Sequence, residues 1–153
     1  MTFGINKQMV SRKKSNKWIT TSADETMAVG RTIAQSLPKT ITVCFSGDLG
    51  AGKTTLIKGI ASELTGIDLC GVTSPTFTYL NIYEGSKILY HFDLYRLTGV
   101  EDFLARGFDE YFEEICCIEW AEKIEAILPK KRALIKINYL GETKREILYQ
   151  NEV

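Results

Sequence analysis

Ile41-Thr42-Val43-Cys44-Phe45-Ser46-Gly47-Asp48-Leu49-Gly50-Ala51-Gly52-Lys53-Thr54-Thr55 is the stretch whose reading decides the fold. Its first five residues are β-branched or apolar and read as a buried strand. Gly47 to Thr54 then fit G-x-x-x-x-G-K-[ST] without a mismatch. Lys53 to Leu64 reads as a helix, so the loop lies between a strand and a helix, the context that the motif requires. Glycines let backbone N–H groups of Gly47, Asp48, Leu49, Gly50, Ala51 and Gly52 turn inward around phosphate oxygens. The helix start adds unpaired donors and partial positive charge. Lys53 is placed for the β- and γ-phosphates of a nucleotide and the Thr54 hydroxyl for Mg²⁺, while Thr55 either bonds a phosphate or caps the first turn. An α/β phosphate-loop domain that takes Mg-ATP is the expectation.

Upstream, Ser22-Ala23-Asp24-Glu25 is a capping box. It opens a helix with apolar positions at Met27, Ala28, Ile33, Ala34 and Leu37, stopped by Pro38. Residues 1–17 are polar and basic, with Arg12, Lys13, Lys14 and Lys17, and read as a flexible tail ahead of a single domain at 18–153. Downstream, residues 69–78 form a loop around Ser74-Pro75-Thr76. Tyr79 to Tyr83 and Lys87 to Asp93 read as a hairpin across Glu84-Gly85-Ser86. Gly99 to Phe112 reads as irregular helix. The continuous run Ile115-Cys116-Cys117-Ile118 is typical of a strand covered on both faces. Ala121 to Leu128 reads as a helix ended by Pro129, and Ala133 to Tyr139 with Glu146 to Gln150 as a terminal hairpin.

Phosphate-loop enzymes need an acid at the end of a neighbouring buried strand, to hold Mg²⁺ or to place the attacking water. Asp93 ends Ile88–Phe92 and Glu119 ends Ile115–Ile118. Glu119 fits the pattern of an apolar run followed by an acid best and is favoured as metal-linked. Asp93 would then orient water or bind a metal-held water. His91, the only histidine, is either a general base or a packed strand residue. Thr73 to Thr78 lies where phosphate-loop switches carry a γ-phosphate sensor, and a hydroxyl of Ser74 or Thr76 is the candidate group.

Bulk properties bound the rest. Hydrophobic residues make up 44% and charged residues 25% of the 153 residues, an ordinary globular balance. Lys plus Arg and Asp plus Glu stand at 19 each. No global field draws in nucleic acid or membrane, so any contact with RNA is indirect or local. No apolar run approaches the length of about 20 residues that a membrane helix needs. Of the four cysteines, Cys44, Cys116 and Cys117 lie in strand-like runs and Cys70 near a loop, without a C-x-x-C pair. They read as reduced, mostly buried thiols of a cytoplasmic protein, with Cys116 and Cys117 on opposite faces of one strand.

Taken in order, GDLGAGKTT, SPTFTYLNIYEG, HFDLYRL and IEWAEKI resemble the TsaE family (also called YjeE), the bacterial ATPases of tRNA threonylcarbamoyladenosine biosynthesis. The resemblance runs over about residues 20–150, and the three later blocks are far more specific than the phosphate loop alone. It implies a P-loop NTPase-like three-layer sandwich with a mixed, mainly parallel central sheet and antiparallel hairpins. It implies a weak intrinsic ATPase using ATP and Mg²⁺, stimulated by the TsaB and TsaD partners that modify adenosine 37, with tRNA met only through that complex. Residue by residue, it implies that Lys53 and Thr54 bind phosphate and magnesium, and that Ser74 and Thr76 form a switch-like loop. Asp93 and Glu119 become the essential acids, Trp120 sits beside the nucleotide, and Thr21 falls where the family contacts the base.

Two other phosphate-loop classes fit less well. A small kinase usually brings lid arginines, and the six arginines here are scattered. A regulatory GTPase usually needs N-K-x-D, which does not occur. A non-catalytic assembly factor that only binds nucleotide is the third alternative.

Overall fold

The computed structural model describes residues 14–48, 50–68 and 74–152. Seven strands among these residues form one mixed sheet: β1 (Lys14–Thr20), β2 (Ile41–Ser46), β3 (Leu80–Glu84), β4 (Ile88–Asp93), β5 (Ile115–Glu119), β6 (Arg132–Tyr139) and β7 (Arg145–Glu152). Their spatial order is β1-β7-β6-β2-β5-β4-β3. The four central strands β6, β2, β5 and β4 run parallel. Antiparallel partners flank them on both sides, β7 and β1 at one edge and β3 at the other. The parallel character predicted for the sheet is thus confined to its centre.

Helices α1 (Ala23–Ser36) and α2 (Lys53–Thr65) cover one face. They bury Val29, Ile33, Leu56, Ile57, Ile60 and Leu64 against Val43, Phe45, Cys117 and Ile135. The other face carries Cys44, Phe92, Cys116 and Ile118, packed against Phe103 of the short helix α3 (Val100–Ala105) and against Ile124 and Leu128. Phe103 and Phe108 each stack edge-on or tilted against Phe92 at 5.7 and 5.3 Å, a geometry that adds to plain area burial. Cys116 and Cys117 fall in the two different cores, as strand alternation requires. Burial pushes the Cys44 and Cys116 thiols up to about 12 and Cys117 well above its ordinary value. All three are free and lack the thiolate that redox or metal chemistry needs. Cys70 lies outside the described residues.

Several predicted boundaries move. The reading of 1–17 as a tail fails at its inner end, because Lys14 to Lys17 belong to β1, paired residue by residue with Asn151 to Leu148 of β7. The backbone ladder and Trp18, packed on the core, hold the strand despite poor strand formers before it. Residues 1–13 lie outside the described residues. Ala121–Ile127 is a 3-10 helix kinked at Ile124 instead of a regular helix, and a second 3-10 helix spans Phe108–Glu113. The capping box is half as expected. Glu25 N–H donates to Ser22 Oγ at 3.1 Å, but the Glu25 carboxylate takes the Thr21 N–H at 2.6 Å.

Helices α1 and α2 touch backbone to backbone. A Cβ on Gly59 would overlap the Met27 carbonyl oxygen, and one on Gly30 the Leu56 carbonyl oxygen. Gly59→Leu is therefore expected to lower the melting temperature. Overpacking against a backbone carbonyl costs about 2–3 kcal/mol, the upper part of the usual range, of which helix propensity returns about 1. The fall in a circular-dichroism melt should be roughly 2–8 °C for a domain of this size. An unchanged melt would mean that the two helices are free to separate.

Candidate functional site

The site forms where three parallel strands end. Phe45 of β2 and Asp93 of β4 both lie level with Glu119 of β5, and the phosphate loop follows β2 directly. In open α/β sheets this carboxyl edge is where ligands bind. Gly47 and Gly52 turn the chain with φ of 146° and 106°. A Cβ on Gly47 would press on the Ile137 carbonyl oxygen, and Gly52 is the N-cap of α2. Both positions need glycine. Leu49 lies outside the described residues. Ala51 N–H donates to Asp48 O at 3.0 Å, closing the loop.

Lys53, 5% exposed, folds back over the loop. Its Nζ donates to Gly47 O at 2.8 Å and lies 4.1 Å from the centre of the Trp120 ring. Trp120 holds a left-handed φ of 61°, and Tyr79 one of 65°. Strain of this kind gathers at working sites, and both residues attach to the acids. Trp120 follows Glu119, and Tyr79 O accepts from Asp93 N–H at 3.0 Å.

The two acids are buried at 4% and 3% exposure, and hydroxyls of the Ser-Pro-Thr loop hold them. Ser74 Oγ donates to Asp93 Oδ2 at 2.6 Å and lies 3.3 Å from Glu119 Oε2. Thr76 Oγ donates to Asp93 Oδ2 at 3.0 Å. Thr54 Oγ is 3.4 Å from Glu119 Oε1, and Tyr95 N–H reaches Asp93 Oδ1 at 3.0 Å. Gly50, Gly52, Lys53, Thr54, Thr55, Ser74, Thr76, Asp93, Glu119 and Trp120 thus line one open cleft of about 320 Å³.

The donor set is all hard oxygen, which suits Mg²⁺ over a soft metal. Among the described residues no cluster of three or more metal-ligating side chains exists. Mg²⁺ is commonly held by one or two carboxylates, with the remaining positions left to phosphate and water. Thr54 and Glu119, 3.4 Å apart, fit that pattern.

Gly52 and Thr55 also border a second recess, lined by Ser22, Ala23, Thr26, Glu142, Thr143 and Arg145. Thr21, expected at the base, is next to this recess without lining it, and its hydroxyl is engaged by Glu25 at 3.0 Å. Two contacts lay beyond the sequence reading, that of Arg145 with the phosphate loop and that of His91 with Glu119. Arg145 Nε donates to Ala51 O at 2.9 Å, which sets a cation on the phosphate loop from the terminal hairpin. His91 is fully buried, with Nε2 2.8 Å from Glu119 Oε2, so the packed alternative holds over the general base. The period-two spacing of His91 and Asp93 on one strand was its only sequence signal.

Comparison with known proteins gives a family. Residues 20–147 match the family model described as threonylcarbamoyl adenosine biosynthesis protein TsaE. The chain is 42% identical over 139 residues to the tRNA threonylcarbamoyladenosine biosynthesis protein TsaE of Bacillus subtilis, covering 89% of this chain and 85% of that one. It is 40% identical over 131 residues to the protein of the same name from Treponema pallidum, covering 84% and 96%. Its fold is similar to the crystal structure of Bacillus subtilis YdiB, with a TM-score of 0.73 and 37% identity over 92% of this chain and 88% of that one.

Proposed function

The chain belongs to the TsaE family, and from that premise we propose that it is a Mg-dependent ATPase serving threonylcarbamoyl modification of tRNA. One observation carries this reading: Lys53 and Thr54 of a complete phosphate loop share a single cleft with Ser74, Thr76, Asp93 and Glu119. Under it, the fold is a P-loop NTPase-like sandwich, and no described helix is long and apolar enough to cross a membrane.

Loop amides cradle the phosphates, and Lys53 exchanges its Gly47 partner for β- and γ-phosphate oxygens. Thr54 and Glu119 would hold the magnesium ion, which would neutralise charge on the phosphates. Asp93 accepts a hydrogen bond from the attacking water, with Ser74 and Thr76 released from its carboxylate. The water oxygen bonds to the γ-phosphorus as the bond to the β–γ bridging oxygen breaks; ADP leaves with that electron pair, and inorganic phosphate is the other product. Such a transfer depends on placement and charge more than on covalent help from the protein.

Arg145 is already engaged on the carbonyls of Ala51, Gly141 and Lys144, and Arg96 lies over the Phe77 ring at 4.5 Å. Neither lines the cleft that holds Lys53, Asp93 and Glu119, which supports a weak ATPase completed by partners. TsaB and TsaD homologues in the cytoplasm are the proposed partners, with tRNA met through them. Transfer of threonylcarbamoyl to tRNA, reconstituted with TsaB, TsaD and ATP, should need this protein for repeated turnover. It should also raise ATP hydrolysis several-fold or more over the isolated chain. Equal modification with and without the protein would defeat the proposal. Adenine nucleotides should outcompete guanine nucleotides in a displacement titration, since N-K-x-D is absent.

A further inference from the structure

We infer that His91 is a positioning residue that turns the Glu119 carboxylate toward Thr54. The inference rests on the reading of Glu119 as the acid that faces magnesium. His91 is 0% exposed, and its hydrogen-bond partners among the described residues, Tyr83 and Glu119, lie outside the phosphate loop. Its ring joins two groups. Nε2 lies 2.8 Å from Glu119 Oε2, and Nδ1 lies 3.2 Å from the Tyr83 hydroxyl. Asn81 Nδ2 in turn donates to the Tyr83 oxygen at 3.3 Å.

These contacts have one consistent polarity. The Glu119 carboxylate can only accept, which calls for the ring hydrogen on Nε2, and the Tyr83 hydroxyl can donate to Nδ1. Nδ1 then accepts, and the ring hydrogen is left on Nε2, aimed at the carboxylate. Oε2 is thereby taken by His91, with Ser74 Oγ at 3.3 Å. Oε1 remains for the cleft, beside Thr54 Oγ at 3.4 Å. A glutamate on the last residue of a strand has three side-chain torsions, and a donor behind it removes the rotamers that turn away from the ligand. Ligand-orienting partners of this kind are worth about 10- to 100-fold in metal affinity. The device reaches across strands: His91 and Tyr83 lie on the antiparallel pair β4 and β3, Glu119 on β5.

The test separates orientation from packing. Mn²⁺ titrated into the ADP complex, followed by electron paramagnetic resonance, reads the metal site directly. ADP affinity in excess EDTA reads the phosphate loop without metal. His91→Leu keeps an apolar filler and loses the donor; it should weaken Mn²⁺ about 10- to 100-fold while metal-free ADP affinity stays within about twofold. His91→Gln offers an amide N–H to the same oxygen and should return Mn²⁺ affinity to within about threefold of the wild type, even if both variants melt lower. Tyr83→Phe removes the hydroxyl that faces Nδ1 and should weaken Mn²⁺ by about 3- to 10-fold, short of the full loss of the orienting partner. Wild-type Mn²⁺ affinity in His91→Leu, or in Tyr83→Phe where His91→Leu does not fold, overturns the positioning role alone. A wild-type chain that binds no ADP overturns the ATPase reading and this inference with it.

Discussion

Lys53→Ala should bind ATP about 10- to 150-fold more weakly than the wild type, the worth of a charge-assisted hydrogen bond of about 1.5–3 kcal/mol. Hydrolysis with saturating nucleotide should fall by a further ~10²–10³, because the same ammonium meets charge that grows on the β–γ bridge. The structure explains why the effect should be clean. Lys53 Nζ has Gly47 O at 2.8 Å and the Trp120 ring at 4.1 Å, and it makes no salt bridge among the described residues. A buried cation with one neutral acceptor contributes little to folding, and its removal relieves desolvation. The melting temperature should therefore stay within about 4 °C, the shift of roughly 1 kcal/mol in a domain this size. Calorimetry of ATP binding and a phosphate-release assay check the two parts. Wild-type ATP affinity in the variant would remove the phosphate loop from the site.

What the sequence made legible follows from which interactions are local. The loop from Gly47 to Thr54 could be read because each residue type there is fixed by backbone conformation or by phosphate, at constant spacing. Asp93 and Glu119 stood out because a carboxylate directly after four or five mostly apolar residues has few structural uses. β1 was hidden because Lys14, Ser15, Asn16 and Lys17 carry no strand pattern, and their order comes from β7, more than a hundred residues away. Arg145 was hidden for the same reason, with a separation of 94 residues from Ala51. The pairing of His91 with Glu119 depends on β4 lying beside β5, a fact of topology that no local spacing encodes. The kink at Ile124 and the left-handed Trp120 are likewise imposed by packing around the site.

Glu119→Gln and Asp93→Asn should both cut ATP hydrolysis by about 10²–10³ in kcat, as loss of one charge-placing group does in such sites, but they should differ in what else they change. In Glu119→Gln the carbonyl oxygen is drawn to the His91 N–H that now holds Oε2 at 2.8 Å, so the amide nitrogen faces Thr54 and the metal position. A donor there repels the cation. Mg²⁺ dependence should move to higher concentration, with little change in nucleotide affinity in EDTA. Asp93 is different, because its carboxylate is tied to Ser74 and Thr76 on Oδ2 and to Tyr95 N–H on Oδ1. In Asp93→Asn the oxygen keeps the Tyr95 N–H, and the new amide faces two hydroxyls that can rotate to accept. The loop stays closed, while the charge that would order the attacking water is gone. Magnesium dependence should then remain near that of the wild type while kcat falls. Steady-state hydrolysis measured across a magnesium series, with partners present, distinguishes the two. Equal displacement of the magnesium midpoint in both variants would show that the acids share the metal, and near-normal kcat in either would make that residue a structural tether for its strand end.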